Sequence, residues 1–163
     1  MRTDARIDEP LRVLIIEDEV LLAIDLESHL EALGQEIVGL AGDATQALAL
    51  ADVEHPDLAL VDINLRDGRT GLVISSKLGA GYDTTAVLVT GSPEQIPADY
   101  AGAIGALTKP CDQKCWNSWL CSSVHFASGG ATPACPRLPP RCGWRRSCNP
   151  ILPYPINVGG GVR

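Results

Sequence analysis

Leu58-Ala59-Leu60-Val61-Asp62 sets four apolar residues against one acid, and the chain repeats that arrangement at other places. Val13-Leu14-Ile15-Ile16 runs into Glu17-Asp18-Glu19. Ala86-Val87-Leu88-Val89 ends in Thr90, and Ile104-Gly105-Ala106-Leu107-Thr108 leads into Lys109-Pro110. Short Val-, Ile- and Leu-rich runs separated by longer helical patterns predict a doubly wound, parallel α/β sheet whose inner strands are buried on both faces. The C-terminal ends of such strands open on one crevice. Glu17, Asp18, Asp62, Thr90 and Lys109 should therefore converge there. Carboxylates, a hydroxyl and an ammonium together suit a divalent cation and a phosphoryl group.

The spacing predicts strands over Leu11–Ile16, Glu36–Leu40, Leu58–Val61, Ala86–Val89 and Ile104–Leu107. Between the first two, Leu22, Leu26, Leu30 and Leu33 recur at helical intervals, and Gly34 sits where a helix ends. Ala44–Val53 reads as a second helix with Asp43 as its N-cap, and Leu72–Leu78 as a third. Ser92-Pro93-Glu94 has the form of another helix start, with Pro at the first position. In a last candidate helix within 112–127, Trp116, Trp119, Leu120, Val124 and Ala127 share one face.

The composition divides near residue 110. Of the 20 acids, 19 lie in residues 1–110, together with 7 of the 13 Lys and Arg. All 6 Cys, all 3 Trp and 7 of the 12 Pro lie beyond. Prolines that dense exclude a long helix or a central strand, so residues 128–163 read as a mostly disordered Pro-, Gly- and Cys-rich tail. The domain proper is expected over 11–127, after an extension at 1–10. A shift of reading frame near codon 111 would also produce such a tail, and the gene's sequence in related strains distinguishes the two readings. The cysteines form no C-x-x-C pair and fit no zinc spacing, so reduced thiols are expected. The overall charge of −7 argues against a nucleic-acid binder. No apolar run is long enough for a membrane span and no signal peptide is legible, which points to the cytoplasm.

The runs ending in Glu17-Asp18, Asp62, Thr90 and Lys109-Pro110 resemble the receiver domain of bacterial two-component response regulators, over Leu11 to about Pro110. The resemblance implies a five-stranded, flavodoxin-like sheet in the order 2-1-3-4-5. It implies that Asp62 is the phosphoacceptor, served by Thr90 and Lys109. Mg²⁺ would be held by Asp18, Asp62 and the backbone carbonyl of Asn64, with Glu17 acting through water. A cis Lys109–Pro110 peptide is implied as well. The phosphoryl group would come from a sensor histidine kinase or a histidine phosphotransfer protein, and its arrival would switch binding of a protein partner. Such a domain phosphorylates and dephosphorylates itself without being a turnover enzyme.

Two departures stand out. Ala106 occupies the position where the family usually carries Tyr or Phe, which removes aromatic rotation as a switch. The loop after Asp62 reads Leu65-Arg66 where Met-Pro is common, and runs one residue longer to Gly71. Two rival readings follow. One is a phosphorylation-independent pseudo-receiver acting as an interaction module. The other is a phosphatase of the haloacid dehalogenase type, whose nucleophile lies on an early strand, unlike Asp62 on the third.

Overall fold

The computed structural model describes residues 10–111. The last candidate helix, the tail and nearly all of the N-terminal extension lie outside the described residues.

Five strands form one parallel sheet: β1 (Arg12–Ile16), β2 (Glu36–Ala41), β3 (Leu58–Val61), β4 (Thr85–Thr90) and β5 (Ala106–Thr108). Their order is β2-β1-β3-β4-β5, as the resemblance implied. Successive side chains alternate across a strand, so β1 feeds two cores. Leu14 and Ile16 face one side with Ala59, Val61, Ala86 and Leu88, under α2 (Ala44–Glu54) and α3 (Gly71–Gly81). Val13 and Ile15 face the other with Leu58, Leu60, Val87 and Val89, under Ala23, Leu26 and Leu30 of α1 (Val20–Ala32). The strand residues Val13 to Ile16 and Leu58 to Val61 are at most 4% exposed. Burying a side chain of this size contributes roughly 1.5–3 kcal/mol.

Two of the helices are punctuated by the residues that predicted them. Asp43 caps α2, its carboxylate accepting the Gln46 N–H at 2.9 Å. Gly34 adopts φ +80° just past α1 and donates its N–H to the Glu31 carbonyl at 2.8 Å. Leu22 lies half-buried, and Ala23 takes the inward position instead.

The helix expected after Ser92 does not form. A single 3-10 turn spans Pro93–Gln95, and another spans Tyr100–Gly102. Pro97 accounts for the stop: it has no N–H to continue a helix, and it biases Ile96 toward the extended region, where Ile96 sits at φ −71° and ψ 121°. The reduced-thiol expectation fails at Cys111, which is disulfide-bonded. Sequence spacing carries no information on which sulfurs meet in space.

Candidate functional site

The site forms where β1, β3, β4 and β5 end. Parallel pairing aligns those ends: Ile16 sits opposite Val61, Val61 opposite Leu88, and Thr90 opposite Thr108. The next residue after each strand is thus delivered to one edge of the sheet. Glu17 and Asp18 follow β1, Asp62 follows β3, and Lys109 follows β5.

Backbone bonds fix these residues before any side chain is considered. The Asp62 N–H donates to the Ile16 carbonyl at 2.9 Å, and the Glu17 N–H to the Ala41 carbonyl at 2.8 Å. The Lys109 N–H donates to the Thr90 carbonyl at 2.9 Å. The Lys109–Pro110 peptide is cis. Ligand oxygens of Glu17, Asp18 and Asp62 all lie within 4.8 Å of one another. The Lys109 ammonium donates to Asp62 Oδ2 at 2.8 Å and also to Glu17 Oε2. Thr90 is fully buried, and its Oγ1 accepts the Ser92 N–H at 3.0 Å. Asn64 is exposed at the start of the next loop, its N–H donating to Asp62 Oδ1 at 3.4 Å. All six residues singled out from the sequence therefore lie at this one edge.

One ammonium shared between two acids gives an uneven result. Burial pushes the Glu17 carboxyl above its ordinary range, the pairing with Lys109 offsets only part of this, and the Asp62 charge adds to the rise. Burial works against the Lys109 charge, but Asp62 and Glu17 together outweigh it, so its pKa is raised. Three oxygen donors of hard character so close together fit Mg²⁺ or Ca²⁺, which take carboxylate and carbonyl oxygens.

Some contributors were not singled out from the sequence. An ideal Cβ on Gly71 would stand 1.8 Å from the Asp62 carbonyl oxygen, so only glycine allows α3 to start against the phosphoacceptor candidate's own backbone. Gly71 also donates its N–H to the Ile63 carbonyl at 3.2 Å. In the loop between, Leu65 and Gly68 exchange backbone hydrogen bonds of 2.8 and 2.9 Å. The dipeptide Asp67-Gly68 is the sequence signal for that turn.

Comparison with known proteins places the chain among receiver domains. The family model described as the response regulator receiver domain matches residues 13–116. The phyllosphere-induced regulator PhyR of Methylorubrum extorquens is 38% identical over 90 residues, covering 55% of this chain and 34% of that protein. The transcriptional regulatory protein PdtaR of Mycobacterium tuberculosis is 37% identical over 111 residues, covering 66% of this chain and 54% of that protein. The chain thus spans about half or less of the length of these curated relatives. The receiver domain of Erythrobacter litoralis PhyR, solved by NMR, superposes with a TM-score of 0.67 at 31% identity, covering 77% of this chain and 98% of that one. With the family model matching well over half of its residues, the chain belongs to the response regulator receiver domain family.

Proposed function

We propose that this chain is a phosphorylatable receiver module whose Asp62 accepts a phosphoryl group from a histidine on a sensor kinase or phosphotransfer protein. The observation that carries the reading is the Lys109 ammonium lying against Asp62 within a cluster of three carboxylates. An Asp62 carboxylate oxygen attacks phosphorus, the P–N bond of phosphohistidine breaks, and the imidazole leaves and takes up a proton. An acyl phosphate results, a recognised covalent use of a carboxylate. Hydrolysis later breaks the P–O bond and returns Asp62 and inorganic phosphate.

The other residues have assignable parts. Asp18, Asp62 and the Asn64 carbonyl would hold Mg²⁺, with Glu17 acting through water. The ion's contribution is positive charge beside the transferring oxygens. Lys109 moves its hydrogen bond from Asp62 to a phosphoryl oxygen. Thr90 Oγ1 already accepts the Ser92 N–H, which leaves its O–H proton to donate to the new group. The phosphate adds about −1.5 to −2 charge at pH 7, enough to bias a bistable surface element and recruit a protein partner. Nucleic acid and membrane are not the expected partners. Among the described residues, no helix is long and apolar enough to cross a membrane.

The test is intact-mass spectrometry after incubation with acetyl phosphate, with and without Mg²⁺, on wild type and Asp62→Asn. A Mg²⁺-dependent phosphate adduct absent from the variant is expected. No adduct on folded wild type would favour the second reading, a phosphorylation-independent interaction module. That reading draws support from Ala106 and from the two short turns that stand between β4 and β5.

A further inference from the structure

The loop after Asp62 is fastened to the start of α2 by three contacts that never touch Asp62. Asp67 Oδ2 accepts the Ala44 N–H at 3.0 Å, at the first turn of α2. Arg66 donates from Nε to the Gly42 carbonyl at 3.2 Å, and the same nitrogen lies 3.8 Å from Asp43 Oδ2. The second Asp67 oxygen accepts the Thr70 hydroxyl, closing the loop on itself. Gly42 makes room for this seat: an ideal Cβ there would stand 1.9 Å from an Arg66 guanidinium nitrogen.

We propose that Gly42, Arg66 and Asp67 form a latch that positions the Asn64 segment and thereby sets the affinity of the acidic site for Mg²⁺. This rests on the metal reading of the site given above. Asn64 and residues 66–69 are exposed, and Leu65 is the buried residue among them. Its side chain, the Leu65–Gly68 turn and the latch thus act beside the Asn64 N–H bond to Asp62 and the Gly71 N–H bond to Ile63 in holding the loop in place. A carbonyl held before the ion arrives costs less to recruit than one that must be ordered on binding. Arg66 and Asp67 are positioning residues in this account, two and three positions beyond Asn64.

Charge alone predicts a different pattern. Removing the Arg66 cation should strengthen attraction for a dication, and removing the Asp67 anion should weaken it. Gly42→Ala changes no charge. Its added methyl meets the far end of a flexible side chain, so it evicts the guanidinium without obstructing the backbone.

The experiment is calorimetric Mg²⁺ titration of the full chain as wild type, Gly42→Ala, Arg66→Gln and the double variant. Gly42→Ala should weaken binding about tenfold, the size of effect that outer-shell positioning residues produce. The same substitution should change little when Arg66 is already Gln, because both act through one contact. Gly42→Ala at wild-type affinity overturns the latch, as does an undiminished loss in the Arg66→Gln background. If wild type itself binds no Mg²⁺, the metal reading fails and the latch with it. A metal-free readout stands beside these: amide hydrogen exchange at Ala44, Leu65 and Gly68 should accelerate in Asp67→Ala. Unchanged exchange there also overturns the proposal.

Discussion

Glu17 and Lys109 share one hydrogen bond yet respond oppositely to the loss of their charges. The Glu17 carboxyl titrates above its ordinary 4.5 in the folded chain. A raised folded-state value favours folding at low pH, and that benefit is lost as pH rises through the raised value, so ionised Glu17 works against the metal-free fold at neutral pH. Glu17→Gln should therefore melt a few degrees higher than wild type at pH 8 without metal, the gap closing toward pH 4.5. Equal destabilisation at both pH values in thermal unfolding would contradict this. Lys109 also titrates above its ordinary 10.5, so its ammonium stays charged until the pH rises past that value, and at acid pH its ion pairs are lost from the other side as the carboxyls protonate. Gly71 makes a steric prediction instead. Gly71→Ala must separate α3 from the Asp62 backbone, an overpacking that should cost about 3 kcal/mol in urea unfolding and slow phosphorylation of the fraction that folds.

At the scale of elements, the segment between β4 and β5 departs most from expectation. Tyr100 and Ala101 adopt φ of 53° and 50°, a left-handed conformation that side chains disfavour by roughly 1–2 kcal/mol per residue. Tyr100 is compensated by burial, being 8% exposed in the core beneath α3. Ala101 has no such return. Ala101→Gly should stabilise the chain by about 0.5 kcal/mol, the relief of strain exceeding the added freedom of the unfolded state. Chemical denaturation decides the sign. The first four strands and the first three helices were legible because their apolar spacing is local, whereas the fifth strand, expected over Ile104–Leu107, forms over Ala106–Thr108. The acidic cluster was legible because every member lies within two residues of a strand's end. The failed helix was legible only in part, since the Ser-Pro-Glu start is local but its termination depends on Pro97. The latch was hidden because Gly42 and Arg66 lie 24 residues apart, and nothing in their spacing reports that one must be small for the other to dock.

For the molecule as a whole, the proposed metal site would make ion binding and folding one equilibrium. An ion that binds the native acids but not the unfolded chain adds about 2.7 kcal/mol at a hundredfold excess over its dissociation constant. Mg²⁺ should therefore raise the melting temperature of wild type, and raise it less in Asp18→Asn. A shift of equal size in both would argue that the ion is held elsewhere. The parallel topology also means that no partial structure carries the whole site. Lys109 reaches Glu17 across 92 residues of chain and Asp62 across 47. Its anchor is β5, three residues long and paired with β4 at the rim of the sheet. Short rim strands open at lower free energy than the centre. When β5 lifts away, the ammonium departs while the three acids, seated on β1 and β3, stay in place. On the proposed reading, warming would therefore cost the site its ammonium before its acids, so phosphoryl capture should fail at a lower temperature than cation binding.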